Sequence, residues 1–107
     1  MELKQYTIIL VTLDPTIGSE IKKTRPCLII SPNEMNKYLQ TIVVAPITSS
    51  SKPYPTRVAI HSQKAKGWVV LDQIRSIDKQ RVVKTFNSIS DKEINQIKAL
   101  IKETYVD

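Results

Sequence analysis

Five short segments rich in β-branched and apolar residues, each stopped by proline or polar turn residues, constrain the fold of this chain most strongly. Runs of this length and composition are typical of strands. Glycine is scarce, at Gly18 and Gly67, so proline, serine and asparagine must turn the chain. The sequence predicts a strongly bent sheet or small barrel. The predicted strands are Thr7–Leu13, Cys27–Ser31, Thr41–Ala45, Thr56–His61 and Trp68–Ile74.

Two of these strands carry further expectations. Thr7–Leu13 is apolar at nearly every position, which predicts burial on both of its faces. The third strand is expected to stop at Pro46, because proline cannot donate to a ladder. The later stretch Arg75–Lys84 is ambiguous and can hold one helical turn and a last short strand.

A short helix is predicted after the second strand. Ser31 fits the N-cap, Pro32 the first helical position and Glu34 the glutamate of a capping box. This helix is expected to continue to about Tyr38.

A longer C-terminal helix is predicted from a second capping box, Ser90 with Glu93, and is expected to run to about Thr104. Its apolar residues recur at helical spacing and should pack on the sheet. They are Ile94, Ile97, Leu100 and Ile101.

Length and composition fit one small domain over residues 1–107, at 107 residues and 12.2 kDa. The longest apolar run, Ile8–Val11, is far shorter than the ~18 residues that span a bilayer. The first residues, Met1–Tyr6, lack the order of a signal peptide, and the single Cys27 cannot form an internal disulfide. We therefore expect a cytoplasmic protein without a membrane segment.

The charge is unevenly distributed. The net charge is +6, and the segment from Lys52 to Lys84 holds eight basic residues against two acidic ones, Asp72 and Asp78. Such asymmetry fits binding of nucleic acid or of an acidic protein segment, and charge alone fits a solubilising surface equally well.

Several classes of site are disfavoured by what the chain lacks. It has one histidine, His61, one cysteine, Cys27, and no paired metal-ligand spacing or phosphate-binding glycine loop. We therefore expect an enzyme built from this chain to use no metal or other cofactor. Its chemistry would depend mainly on Arg, Thr, Ser, Asp, Glu and Gln side chains.

Four segments together resemble the MazF/PemK/Kid family of toxins from bacterial toxin–antitoxin systems. They are DPTIGSEIKKTRPCLIISP, VVAPITSS, YPTRVAI and GWVVLDQIRSIDKQR, in family order and over almost the whole chain. The resemblance implies a mainly β (α+β) fold, an SH3-like barrel of about five to seven short antiparallel strands with a short helix and a C-terminal helix, shared with the CcdB toxins. It also implies a homodimer that cuts single-stranded RNA sequence-specifically, without a metal, and that a cognate antitoxin neutralises.

The same resemblance implies the site residues. The essential arginine of the T-R-P motif is Arg25, and the essential hydroxyl of the P-I-T-S motif is Thr48. Some relatives have a histidine and an arginine where Ser19 and Val70 stand, so acid–base roles that need them do not transfer. The implied RNA contacts are Ser19, Glu20, Thr24, Ser49, Asp72, Gln73 and Arg75.

The chemistry of RNA cleavage is compatible with these residues. The 2′-hydroxyl can displace the adjacent 5′-oxygen, leaving a 2′,3′-cyclic phosphate and a 5′-hydroxyl. Arg25 suits stabilisation of the phosphorane charge, and Thr48 can hold a phosphate oxygen or the 2′-hydroxyl. The proton acceptor stays open among Glu20, Asp72 and a hydroxyl or water relay.

One alternative belongs to a different class of function. The same barrel could serve a non-catalytic toxin that binds and poisons DNA gyrase, as CcdB does. The antitoxin is expected to be an acidic, partly disordered segment that covers the basic face.

Overall fold

The computed structural model describes residues 2–12, 24–50, 54–61 and 66–106. Within these ranges the chain forms seven strands and two α-helices. The strands are β1 (Thr7–Thr12), β2 (Thr24–Ile29), β3 (Thr41–Thr48), β4 (Arg57–His61), β5 (Lys66–Val70), β6 (Arg75–Asp78) and β7 (Val82–Ser88). The helices are α1 (Asn33–Tyr38) and α2 (Asp91–Ile101), with a π-helical turn over Lys102–Val106. A first 3-10 turn covers Leu71–Gln73 and a second covers Lys79–Arg81.

All strand pairs are antiparallel, in the order β4-β5-β3-β2-β1-β7, with β6 also on β3. β3 is the common strand: it pairs with β6 through Thr41–Val44, with β2 through Val44–Pro46 and with β5 through Ile47 and Thr48. Because one strand serves three neighbours, the sheet curls into a half-barrel. The expected mainly β fold of short antiparallel strands is confirmed.

The sheet buries residues on both faces, which separates two cores. Along β1, Ile8 belongs to one core and Ile9 to the other, as the two-residue period of a strand requires. The helix-side core packs against α2, and its buried members include Ile8, Leu28, Ala45, Ile60, Leu71 and Ile97. The cleft-side core holds Ile9, Val11, Cys27, Ile29, Ile42, Val44, Ile77 and Val82. The predicted burial of β1 on both faces is therefore confirmed.

Helix α2 begins as the sequence predicts. The Ser90 hydroxyl accepts the Glu93 backbone N–H, and the Glu93 carboxylate accepts the Ser90 backbone N–H. Ile97 is fully buried, and Ile94, Leu100 and Ile101 pack beside it. The regular α-helix ends at Ile101, three residues before the predicted end, and continues as the π-helical turn. No helix of the described ranges is long and apolar enough to cross a membrane.

The predicted capping box of α1 is wrong. Pro32 occupies the N-cap position and no side chain caps the helix. The buried Ser31 hydroxyl instead donates to the Asn36 side-chain oxygen and accepts the Val43 backbone N–H at 3.0 Å. The hydrogen bond from Val43 of β3 therefore takes the place of the predicted capping bond of Ser31 within α1.

Several strand boundaries also differ from the sequence-based predictions, and three of the differences bear on the candidate site. β3 continues through Pro46, which lies where β3 passes from β2 to β5, so a missing N–H is tolerated. β2 begins at Thr24 and therefore includes Arg25. The fifth strand ends at Val70, and a 3-10 turn replaces its predicted last residues.

Candidate functional site

A cleft of about 240 Å³ opens at the end of the half-barrel where several elements begin or end. Its charged lining residues are all arginines, and no carboxylate lines it within the described ranges. We call it the arginine cleft. Its lining is Val11, Thr12, Arg25, Cys27, Val44, Pro46, Gln73, Arg75, Ile77 and Arg81.

Arg25 reaches the cleft because side chains alternate between the two faces of β2, and Arg25 lies on the face that forms the cleft. Residues two apart share a face, so Arg25 lies on the side of Cys27 and Ile29, both in the cleft-side core. Its backbone pairs with Val11 of β1, and its side chain is half-buried. A strand residue inside a ladder is held more firmly than a loop residue, so the guanidinium has a fixed origin.

Arg75 enters from the opposite side of the cleft. It begins β6, pairs with Val44 of β3, and shares the face of Ile77. Burial raises the pKa of the Cys27 thiol to about 11, while the charges of Arg25 and Arg75 act in the opposite direction. Cys27, Arg25 and Arg75 all line the cleft.

Thr48 lies at the same end of the β2–β3 pair as Arg25. The register ends at Cys27 opposite Pro46, and Arg25 and Thr48 each lie two residues beyond that pair. Thr48 does not line the cleft itself; its half-buried hydroxyl donates to the Ser50 carbonyl at 3.0 Å. Thr48 is thus a residue of the cleft rim.

Gly67 permits the close approach of β5 to the end of β3. Thr48 pairs with Trp68, and a Cβ atom on Gly67 would lie 2.2 Å from the Thr48 carbonyl oxygen. No side chain fits in that space. The position of Thr48 therefore depends on the glycine of the neighbouring strand.

Asp72 faces away from the arginine cleft. Its carboxylate accepts the Thr56 hydroxyl at 2.9 Å and lies 3.7 Å from Nε of Arg57. Arg57 in turn stacks on the Tyr54 ring at 4.8 Å. Asp72 therefore ties the first 3-10 turn to the start of β4, and the turn directs Gln73, but not Asp72, into the cleft.

A second and larger depression, about 750 Å³, lies between β4 and α2. We call it the helix groove. Its charged lining mixes both signs and is composed of Arg57, His61, Lys92, Glu93 and Glu103. The Glu93 carboxylate accepts the His61 backbone N–H at 2.9 Å. The helix groove is the larger depression, but the uniform positive charge of the arginine cleft makes the cleft the better candidate for binding an anion.

Metal binding has no support in this arrangement. Within the part of the chain that the structure describes, no three His, Cys, Asp or Glu side chains are grouped so as to hold a metal ion. His61 is exposed at the end of β4 and belongs to the helix groove. The residues gathered at the cleft are instead hydrogen-bond donors suited to an anion.

Comparison with known proteins identifies the family. The model of the family described as PemK-like, MazF-like toxin of type II toxin-antitoxin system matches residues 4–105. The chain belongs to this family. The match confirms the resemblance on which the site residues were chosen.

Relatives of this toxin agree in sequence and fold. The chain is 34% identical over 101 residues to the endoribonuclease MazF of Staphylococcus saprophyticus, covering 89% of this chain and 84% of the relative. A mycobacterial endoribonuclease in complex with its cognate antitoxin has a TM-score of 0.81 at 20% identity, covering 94% and 92% of the two chains. A MazE–MazF structure from Deinococcus radiodurans has 0.82 at 21%, covering 96% and 95%. The expected toxin fold is confirmed, and the alternative of a gyrase poison is not favoured.

The remaining predicted RNA contacts of the toxin fall into three groups. Gln73 and Arg75 line the cleft, while Thr24 and Ser49 are exposed next to Arg25 and Thr48. Asp72 contacts Thr56 and Arg57 instead. Ser19 and Glu20 lie outside the described residues. Asp72 and Gln73, which the sequence places in the strand Trp68–Ile74, lie in the first 3-10 turn instead, and Arg75 begins β6.

Sequence reasoning missed one cleft residue of this toxin, Arg81. Arg81 lies in the basic segment from Lys52 to Lys84, but the sequence predicts no role for it. Its signal is the segment from Asp78 to Arg81, where the Asp78 side chain accepts the Gln80 backbone N–H at 2.8 Å and so caps the second 3-10 turn. An aspartate two residues before a donor is a recognisable turn signal.

Proposed function

We propose that this protein, the endoribonuclease toxin of a type II toxin–antitoxin system, cleaves single-stranded RNA in the arginine cleft. The observation that carries the proposal is the convergence of Arg25, Arg75 and Arg81 on one cleft whose described lining holds no carboxylate. A phosphodiester backbone carries the negative charge that a cluster of arginines attracts. The family supplies the class of reaction.

Arg25 stabilises the charge that develops on the phosphorane. Its planar guanidinium can donate to two phosphate oxygens at once. The strand position of Arg25 fixes the direction of that fork before RNA arrives, which lowers the reorganisation needed in the transition state.

Thr48 holds a non-bridging phosphate oxygen or the 2′-hydroxyl at the rim. Its hydroxyl donates to the Ser50 carbonyl, and Ser50 is exposed, so the bond can be exchanged for one to RNA while water satisfies the carbonyl. The RNA 2′-hydroxyl is the nucleophile, so the cut itself requires no metal ion.

Recognition of the bases falls to residues around these two. Gln73 lines the cleft with an amide that can read an unstacked base edge, and Arg75 adds charge for the backbone. Thr24 and Ser49 extend the rim, and Ser19 and Glu20 remain proposed RNA contacts. Asp72 holds the first 3-10 turn in place for Gln73 through its contacts to Thr56 and Arg57, and its proposed role is neither RNA contact nor proton acceptor.

The partners follow from the same charge. We propose an acidic antitoxin segment that covers the arginine cleft and so competes with RNA. We also propose that the toxin is a homodimer and acts in the cytoplasm, where messenger RNA is translated. Light scattering of the purified protein at several concentrations tests the dimer.

Incubation of naked RNA with the purified protein and excess chelator tests the reaction. We expect cleavage at defined sequences, with 2′,3′-cyclic phosphate and 5′-hydroxyl ends. Arg25→Ala should abolish cleavage and keep the melting temperature of the parent, and Lys84→Ala, an exposed β7 residue outside the cleft, is the matched control.

Three results would contradict the proposal. They are intact RNA with the wild-type protein, 5′-phosphate products, and full activity of a folded Arg25→Ala variant. Intact RNA together with inhibited gyrase would restore the alternative.

A further inference from the structure

The first 3-10 turn carries the side chain that we assign to base reading, so the contacts that hold this turn bear on specificity. Gln73 ends the turn and lines the arginine cleft, whereas Leu71 begins the turn and is fully buried. The hydrogen bonds within a 3-10 turn have poorer geometry than those of an α-helix. Contacts from neighbouring elements therefore decide how firmly Gln73 is held.

The residues just before β4 hold the start of the turn. The Leu71 backbone N–H donates to the Thr56 carbonyl at 3.1 Å, and the Asp72 carboxylate accepts the Thr56 hydroxyl at 2.9 Å. The Leu71 side chain lies in the helix-side core, to which Ile97 of α2 also belongs. Neither of these two hydrogen bonds involves the Leu71 carbonyl.

Tyr105 bonds to that carbonyl from a distant part of the chain. Its phenolic hydroxyl donates to the Leu71 carbonyl oxygen, and the two residues are 34 positions apart. Tyr105 lies in the π-helical turn that follows α2. Such turns are rare and are frequently found at functional positions. The C-terminal helical segment is thus joined to the turn beside the cleft by a side-chain hydrogen bond.

The other side chains of the proposed site are held in a different way. Arg25, Thr48 and Arg75 each lie in a strand and pair with a neighbouring strand. Gln73 lies in the turn, two residues after Leu71. A shift of the Leu71 carbonyl should therefore move Gln73 more than it moves the residues assigned to the cut.

We propose that Tyr105 is a positioning residue for base recognition: its hydroxyl holds the Leu71 carbonyl and so fixes the direction in which Gln73 meets an RNA base. This inference rests on the proposed function, in which Gln73 reads a base edge. Tyr105 acts through the turn and takes no part in the cut. Its loss therefore changes the preference among RNA sequences and leaves the chemical step on bound RNA close to that of the wild type.

The test removes a single hydroxyl group. Tyr105→Phe keeps the ring, and Tyr38→Phe is the matched control, because it makes the same change on an exposed ring of α1. Gln73→Ala removes the reading side chain, and a double variant combines it with Tyr105→Phe. Sequencing 5′ ends from a pool of single-stranded RNAs ranks the cut sequences. The values of kcat and KM are then measured on the two preferred sequences, well below the melting temperature of each variant.

We expect Tyr105→Phe to reduce the preference for the best sequence over the second by about two- to tenfold, the effect of one neutral hydrogen bond. The change should lie in KM, with kcat close to the wild type, and Tyr38→Phe should keep the wild-type preference. In the Gln73→Ala background, Tyr105→Phe should have no further effect on the preference, because both changes act through one side chain.

A second measurement does not depend on cleavage. In NMR spectra, Tyr105→Phe should shift the signals of the Gln73 side-chain amide and accelerate hydrogen exchange in the first 3-10 turn, while β6 keeps its protection. Tyr38→Phe should leave both regions unchanged.

Three outcomes would overturn the inference: a wild-type sequence preference in Tyr105→Phe, additive effects of Tyr105→Phe and Gln73→Ala, or an equal change in Tyr38→Phe. If Gln73→Ala cuts the same sequences as the wild type, base reading by Gln73 is wrong and this inference is wrong with it, although cleavage in the cleft stands. The proposed function fails separately, if the wild type leaves RNA intact. Unchanged Gln73 amide signals in Tyr105→Phe would reject the positioning role even then.

Discussion

The arginine cleft and the helix groove belong to one small protein but differ in the charged side chains that line them. In the groove, the Glu93 carboxylate accepts the Ser90 N–H at 3.0 Å, the Ser90 hydroxyl at 2.9 Å and the His61 N–H at 2.9 Å. In the cleft, the charges of the described lining have one sign. In the larger depression a carboxylate holds α2 on β4, whereas the smaller one gathers arginines from three different elements.

Such a difference is expected from the energetics of charge. A satisfied carboxylate at a helix N-terminus stabilises the fold by about 1 kcal/mol, whereas like charges brought together destabilise it. Several arginines gathered in one cleft fit a surface selected for binding an anion. The comparison gives four experiments, from the largest expected effect to the smallest.

Ile97→Ala should have the largest effect, and on stability alone. Ile97 is fully buried in the helix-side core beneath the groove, and removing such a side chain costs about 2–5 kcal/mol. Urea unfolding measures the loss. Cleavage per folded molecule, measured well below the melting temperature, should match the wild type. If the folded variant cannot cut RNA, the two regions are not separable.

Thr48→Val should show the reverse pattern. It keeps the branched shape of the side chain but removes the hydroxyl, so we expect the single-turnover rate to fall about 10²–10³-fold, or roughly 3 kcal/mol. Thr48→Ser should retain most of the rate, and urea unfolding should change little. Cleavage by Thr48→Val within tenfold of the wild type would remove Thr48 from the mechanism.

Glu93→Gln should reduce stability modestly, by about 1 kcal/mol, through a weaker helix cap. Burial acts to raise the pKa of Glu93, but hydrogen bonds from Ser90 and His61 outweigh it and the pKa is lowered. A lowered folded-state pKa means that this stabilisation is present above the unfolded pKa, about 4.3, and is lost as pH falls through the folded value.

The measurement is urea unfolding of Glu93→Gln and the wild type between neutral and acid pH. The difference in unfolding free energy should be largest at neutral pH and should shrink below about pH 4.3. A difference that grows on acidification would contradict the assigned role of the carboxylate.

Asp72→Asn should have the smallest effect. It weakens a partly exposed contact to Arg57 but can still accept from Thr56, so unfolding should change by about 0.2–1 kcal/mol. Cleavage should stay close to the wild type. Gln73→Ala is the neighbouring comparison and should change the sequences that are cut, as mapped by sequencing 5′ ends. Strong loss of cleavage in Asp72→Asn would return that residue to the site.

Much of the fold could be predicted because its signals are local. The β-branched segments gave strands, and Ser90 with Glu93 gave the start of α2. The errors arose where distant groups competed. Ser31 bonds to Val43 of β3 instead of capping α1, and Pro46 stays in β3 because that strand exchanges partners there.

The candidate site was predictable in part, for a similar reason. The motifs pointed to Arg25 and Arg75, which the fold brings to one cleft, and to Thr48, which it places on the rim. The motifs could not show that Asp72 turns toward Arg57, since that depends on where the first 3-10 turn begins. Arg81 was not predicted as a site residue because it reaches the cleft only through the position of the second 3-10 turn in the fold.

The close approach of Gly67 to the backbone of Thr48 has a consequence for how this toxin can be inactivated. A methyl group at position 67 would collide with the backbone that carries Thr48, so Gly67→Ala would shift the Thr48 hydroxyl without altering any of the proposed RNA contacts. Bacteria selected to survive expression of the protein should therefore yield changes at this glycine as well as at the proposed site residues, Arg25 and Thr48.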